Sequence, residues 1–271
     1  MKHFAFTCQG ESHKATDKPC QDYSYSLAEE GLCIAIVCDG HGGERYFRSD
    51  VGSNFCAEIT AQSIRNFVED VDPTIFEGQQ LTKRKVLSEF EDEKLNLTDV
   101  ALRQLFSSII SKWNEAIVTY SENNPITEHE LEKVQPKYIE SFENRESLEK
   151  IYGCTLMAYV QTSTYWFAFH IGDGKCVSFQ DDSSIWQEPV EWDEDCFLNR
   201  TTSICDSNAL NKFRYTYCGD GTFPIAVFLG SDGMDDSFGP MENLVDFYMQ
   251  VTKMLAKDDE VLAQEEIVNT L

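Results

Sequence analysis

The chain has 271 residues, and its 22 Lys and Arg against 47 Asp and Glu give a formal charge of −25. Such a field repels nucleic acid and anionic membrane, and no run approaches the ~20 apolar residues that span a bilayer. With 42% hydrophobic and 12% aromatic residues there is material for one large core, and no Pro-, Gly- or Ser-rich linker divides it. No nucleic acid partner, no membrane partner and a monomeric state are therefore expected. Ten cysteines occur without a secretory leader or a Cys-x-x-Cys pair, which suits free thiols in a reducing, cytoplasmic setting. Most acids, including Glu89 to Glu93 and Glu188 to Asp195, read as solvated faces.

In chain order, strand-like alternation covers Phe4 to Cys8, Tyr23 to Ala28 and Leu32 to Cys38, with Glu30-Gly31 as a tight turn between the last two. Asp22 opens one arm of that hairpin and Asp39 closes the other, so antiparallel pairing brings them together. The period then changes: Phe47, Val51, Phe55 and Ile59 at four-residue spacing predict a helix packed on the sheet. Asp72 to Asn96 is charged and poorly periodic, and predicts a surface loop or short irregular helix. A second helix is predicted from about Asp99 to Tyr120, with Leu105, Ile109, Trp113 and Ile117 as a core stripe. Thr127-Glu128-His129-Glu130 reads as a capping box, His129 as a solvated residue, and Pro136 as a stop or kink. Period two returns over Thr155 to Gln161, Tyr165 to Ile171, Cys176 to Phe179, Arg214 to Cys218 and Thr222 to Leu229. Helices follow over Met241 to Leu255 and Val261 to Val268, and the alternation alone indicates a mixed α+β protein.

Three β-prone runs end at an Asp-Gly pair: Ile34 to Cys38 before Asp39-Gly40, Trp166 to Ile171 before Asp173-Gly174, and Pro224 to Leu229 before Asp232-Gly233. A carboxylate at the end of a buried strand is costly unless a cation or hydrogen bonds compensate it. Several of them in one fold point to a metal site. In Cys38-Asp39-Gly40-His41-Gly42-Gly43, Asp39 is a hard oxygen ligand, Gly40 lets a backbone carbonyl approach an ion, and His41 can exchange a proton near neutral pH. The plain alternative is a Gly-rich strand-to-helix turn with a solvated His.

Gln21-Asp22, Asp39-Gly40-His41-Gly42-Gly43, Gly153-Cys154-Thr155, Gly172-Asp173-Gly174 and Ser231-Asp232-Gly233-Met234-Asp235-Asp236 follow in one order. In that order the chain resembles the metal-dependent protein phosphatases of type 2C. The resemblance implies a four-layer αββα sandwich, two antiparallel sheets flanked by helices, with a centre for two Mn²⁺ or Mg²⁺ ions at one end between the sheets. It implies metal ligation by Asp22, Asp39, the Gly40 carbonyl and Asp232, with Asp39 shared by both ions. A third, weaker ion is implied beside Asp173, Asp232 and Asp236, and His41 is implied as the catalytic general acid. Asp235, one residue out of register, is expected at the surface. The implied reaction is hydrolysis of phosphoserine or phosphothreonine in a phosphorylated protein substrate by a metal-bound hydroxide, with a partner kinase as a candidate associate.

Three departures accompany that resemblance. Gln21 stands where many relatives carry Glu, and Asp17 where they carry a phosphate-receiving Arg; His13, Lys14, Lys18, Arg45 and Arg48 are the nearby candidates to replace it. Asp258-Asp259 is the Asp-Asp pair nearest the end of the sequence, and it precedes Glu260 and a helix-like segment rather than a strand. The expectation is a single domain over residues 1–271 that lacks a closing strand and one metal ligand. These departures keep two rivals open: a catalytically silent phosphatase-like module that binds a phosphoprotein or regulatory partner, and a hydrolase of small phosphate esters.

Overall fold

A computed structural model describes residues 1–9, 19–85, 96–144, 146–180, 185–197, 200–257 and 259–270. His13, Lys14, Asp17, Lys18, the Glu89 to Glu93 run and Asp258 lie outside the described residues. Alternating apolar residues build the first hairpin, where β1 (Tyr23–Glu29) pairs antiparallel with β2 (Leu32–Cys38) and Tyr23 lies opposite Cys38. Gly31 closes its turn at φ 78°, a left-handed angle that costs glycine little. Six strands, including β3 (Gln80–Lys85), β4 (Leu156–Thr162), β5 (Trp166–Ile171) and β8 (Arg214–Cys218), form one antiparallel sheet in the order β1-β2-β4-β5-β8-β3. The second sheet is β7 (Ile185–Gln187), β6 (Lys175–Gln180) and β9 (Ala226–Gly230), in the order β7-β6-β9 and again antiparallel.

The period of two sorts the strands' side chains into layers. Ile34 and Ile36 of β2, Ala158 and Val160 of β4, and Phe167 and Phe169 of β5 share one core with α1 (Ser49–Asp70) and α2 (Leu97–Asn123). Tyr159 and Ala168 point the other way, into a smaller cluster with Val190, Val227 and Leu229 that lies between the sheets. Val177 and Phe179 of β6 and Phe228 of β9 pack outward on Leu244, Val245 and Tyr248. The last three belong to α7 (Met241–Lys257), which follows α6 (Asp232–Phe238) and precedes α8 (Glu260–Thr270). Helices, sheet, sheet, helices is the four-layer αββα sandwich. Among the described residues no helix is long and apolar enough to cross a membrane.

Several local expectations change. Phe4 to Cys8 forms no ladder and lies along β1 through side chains, with His3 Nδ1 2.9 Å from Ser26 Oγ and Thr7 Oγ1 2.5 Å from Ser24 Oγ. The expected stripe of Phe47, just before α1, and Val51, Phe55 and Ile59 on it is only partly buried; the buried stripe of α1 is Gly52, Ser53, Cys56, Ala57 and Thr60. Small residues let this helix approach closely: a Cβ on Gly52 would lie 1.8 Å from the Tyr152 carbonyl oxygen, and the Gly52 carbonyl accepts from Trp113 Nε1 at 2.9 Å. The segment read as a surface loop contains β3. Pro136 begins α4 (Pro136–Glu143), between α3 (Glu128–Leu131) and α5 (Leu148–Ile151), because its missing N–H costs nothing at a first helical position. Thr127 and Glu130 close the capping box at α3. Asp193, read as part of a solvated face, is fully buried.

Candidate metal centre

The hairpin register that sets Tyr23 against Cys38 puts Asp22 and Asp39 side by side where β1 begins and β2 ends. From there the chain is stitched down by its backbone. The Gly40 N–H donates to the Gln21 carbonyl at 3.1 Å, the His41 N–H to Gly153 at 3.0 Å, and the Thr155 N–H to the Asp39 carbonyl at 2.8 Å. Thr155 Oγ1 accepts from the Asp39 N–H at 3.0 Å. Only glycine fits at position 40, where a Cβ would stand 2.4 Å from the Gln21 carbonyl oxygen and 2.9 Å from that of Ser49.

β9 delivers Asp232 to the same place as the first residue of α6, with its carboxyl close enough to act on that of Asp39. Asp39 is half-buried, and burial, the charge of Asp22 and contact with Asp232 push its carboxyl up to about 10. Asp173, in the turn after β5, is raised by burial and then by Asp232. Its turn is gripped from behind: Arg214 Nη2 donates to the Gly172 carbonyl at 2.7 Å, and Thr202 Oγ1 accepts from the Gly172 N–H at 3.0 Å and donates to Asp193 Oδ2 at 2.8 Å. Arg214 and Asp193 are themselves a buried pair. Asp22, Asp39, Asp173 and Asp232 thus gather at one end of the two sheets. Asp236 lies exposed one turn further along α6, away from Asp39's hydrogen bonds. Asp235, expected at the surface, is half-buried and ion-paired to Lys175 at 2.8 Å.

The donor set suits a hard divalent cation, because it consists of carboxylate oxygens and one closely approachable backbone carbonyl. Each leading interaction at Asp39 raises its proton affinity, which is the behaviour of acids crowded together without a counter-charge. Among the described residues no three His, Cys, Asp or Glu side chains form a ready-made cage. The residues fit such an ion by chemistry and by neighbourhood, and a cation would draw the facing carboxylates onto itself.

His41 follows directly on Gly40 in the strap. Its Nε2 lies 2.7 Å from Ser203 Oγ, and its ring meets Tyr46 edge-on at 4.7 Å. Burial pushes its imidazole down to about 4 against the pull of Asp206, with Arg45 and Lys150 adding to the fall, so it is neutral at pH 7. Ser203 sits in a loop without a motif, and nothing in the sequence marked it. Gln21 has a role that its place in the pattern hid: its amide donates to the His41 carbonyl at 3.1 Å and to Ser49 Oγ at 2.5 Å, tying the start of β1 to the strap. The two described candidate arginines also part ways. Arg48 is buried and spent, with Glu130 at 2.6 Å and the carbonyls of Asn124 and Pro125 at 2.7 and 3.1 Å. Among the described residues, Arg45 donates to the hydroxyls of Tyr46 and Tyr138.

The model of the protein phosphatase 2C family matches residues 9–271. The chain belongs to the protein phosphatase 2C family. Solved structures of that type share its architecture. The serine/threonine phosphatase Stp1 from Staphylococcus aureus is 14% identical with a TM-score of 0.51, over 98% of this chain and 86% of that one. A bacterial serine phosphatase is 14% identical with a TM-score of 0.51, over 97% of this chain and 88% of that one. At such identities the likeness shows the fold alone. A search of curated protein sequences finds no match to this chain.

Proposed function

We propose that this family member is a metal-dependent phosphatase of phosphoserine and phosphothreonine in proteins. The observation that carries the reading is the meeting of Asp22 just before β1, Asp39 just after β2 and Asp232 at the start of α6, with Asp39 forced toward its protonated form by burial and then by the other two. Two Mn²⁺ or Mg²⁺ ions would be held by Asp22, Asp39, the Gly40 carbonyl and Asp232, and a third beside Asp173, Asp232 and Asp236. When bound, such ions supply an activated water and offset the negative charge of the phosphoryl group.

The chain's own residues do the rest. Thr155, Gly153 and Gln21 fix the strap that aims Asp39 and Gly40. Ser203 fixes the ring of His41, to which we assign protonation of the departing oxygen. His41 is neutral in the ion-free structure, so that role draws on the substrate: a phosphate dianion beside the ring raises its affinity for a proton. A single domain acting as a monomer in the cytoplasm, on a phosphoprotein made by a partner kinase, completes the reading.

The second reading, a silent phosphatase-like module, has one observation in its favour, since Gln21 spends its side chain on the strap and offers no carboxylate. Release of inorganic phosphate from a phosphothreonine peptide decides between them, measured with excess Mn²⁺ and with Asp39→Asn as control. Turnover lost in the variant supports the phosphatase. No turnover in either protein overturns it and leaves the binding module.

A further inference from the structure

We propose that Arg214, Asp193 and Thr202 are positioning residues, a buried clasp that turns Asp173 toward the acid centre by holding both the N–H and the C=O of Gly172. The inference rests on the metal-dependent reading for the ion that Asp173 would serve, and on this chain's own geometry for the clasp. Arg214, the first residue of β8, lies opposite His170 of β5, so its guanidinium reaches the turn that follows β5. Its Nη2 donates to the Gly172 carbonyl at 2.7 Å and its Nη1 to the carbonyl of Glu191. Thr202 Oγ1 accepts from the Gly172 N–H at 3.0 Å and donates to Asp193 Oδ2 at 2.8 Å. The circuit closes where that carboxylate oxygen lies 3.7 Å from Arg214 Nε. The Gly172 carbonyl shares a rigid peptide plane with the Asp173 N–H, so this grip sets the direction in which Asp173 leaves the strand.

Two features separate the clasp from ordinary core packing. As a source of stability the ion pair is poor: Arg214 and Asp193 are 1% and 0% exposed, so both charges have lost their water, and 3.7 Å is longer than a hydrogen bond. Apolar residues of similar volume would hold the fold about as well, and what the charged pair adds is direction. The clasp also touches what holds the rest of the centre. Gly172 sits at φ 130°, and a Cβ there would stand 2.5 Å from Cβ of Thr155, whose Oγ1 accepts from the Asp39 N–H. Thr202 is followed by Ser203, whose Oγ donates to the Cys154 carbonyl at 2.9 Å and lies 2.7 Å from His41 Nε2. One buried bracket therefore seats the Asp173 turn against the Asp39 strap, which keeps its own backbone bonds to Gln21 and Gly153.

Mn²⁺ binding to the full chain, followed by electron paramagnetic resonance of the free ion, tests the clasp apart from turnover. Asp173→Asn is the reference and should abolish the weaker binding event. Thr202→Val, which removes the hydroxyl and keeps the shape, should weaken that event at least about tenfold, and Thr202→Ser should restore it. Asp193→Leu combined with Arg214→Met should weaken it to the same degree while the urea midpoint stays no lower than the parent's. In each variant the tightest Mn²⁺ affinity should hold within about twofold. An unchanged weaker event in Thr202→Val, an equal loss of the tightest event, or a parent in which Asp173→Asn changes nothing overturns the inference. If the double variant does not fold, Thr202→Val against Thr202→Ser decides alone. Phosphate release by a parent whose weaker event survives Thr202→Val sinks the inference and spares the phosphatase reading. A clasp-dependent ion without phosphate release sinks that reading and spares the inference.

Discussion

The two halves of the acid centre are built by different means. Asp22 and Asp39 sit on a hairpin whose strap is bonded through its backbone to Gln21, Gly153 and Thr155 and backed by the buried Arg48 at the start of α1. Asp232 and Asp236 ride on α6, a helix of seven residues with no buried side chain and no side-chain hydrogen bond at its cap. Lys175 grips Asp235, and Met234 and Phe238 pack half-buried on the cluster under α7. One half is therefore set by the sheet and the other is placed by a short surface helix.

Asp39→Asn should break the comparison most sharply. All Mn²⁺ heat in calorimetry should vanish, since both halves meet at this carboxyl. The ion-free variant should also melt higher at neutral pH. The sign follows from the raised carboxyl: its stabilising contribution is full below about 3.8 and is lost as pH rises through about 10. The parent's ion-free Tm should fall over that window, and the variant should lose that slope. A parent profile as flat as the variant's would deny that the three acids crowd one another.

Next in size is a pair of glycine changes. Gly40→Ala forces a methyl to 2.4 Å from a backbone oxygen and should cost about 3 kcal/mol in urea unfolding. Gly233→Ala on α6 meets nothing nearer than 3.9 Å and should be neutral or gain up to about 1 kcal/mol from helix propensity. Equal costs would mean that α6 is as tightly held as the strap.

A smaller effect sharpens the picture of what braces the first half. Burial works against the charge of Glu130, yet Arg48 and Thr127 hold its carboxyl down at about 2. Its contribution is present above the usual 4.5 and is lost as pH falls toward 2. Glu130→Gln should therefore lower Tm at pH 7, with the gap closing in acid. A gap constant from pH 7 to pH 2.5 would show the pair to be idle. The least effect is expected of Asp236→Ala, which should leave the tightest Mn²⁺ affinity unchanged within about twofold and weaken only a further ion, if calorimetry resolves one.

The strands around the centre were legible because apolar alternation is a direct record of two-sided burial, as in β2, β5 and β8. β3 was not: Gln-Leu-Thr-Lys-Arg-Lys carries no alternation, and it is a strand because β8 offers it an unpaired edge. The existence of α1 could be read, but its inner face could not, because bulk was taken for burial where Gly52, Cys56 and Ala57 win by letting backbones close in. Within the centre, the Asp-Gly turns marked Asp39, Asp173 and Asp232, whereas Ser203 and the amide of Gln21 act through partners far away in sequence. That Arg48 is spent inside the fold could be seen only from the carbonyls and the carboxylate that surround it.

The bonds that shape the strap span great lengths of chain. Asp39 and Thr155 are 116 residues apart, and His41 and Ser203 are 162 apart. Closing such loops early is entropically expensive, so contacts of this span are made late, after local hairpins and helices have shortened the path. The centre is thus a product of nearly completed folding, with no local fragment able to form it. Asp22 and Asp39 can meet early on their own hairpin, whereas full metal affinity arrives with the last contacts between distant segments.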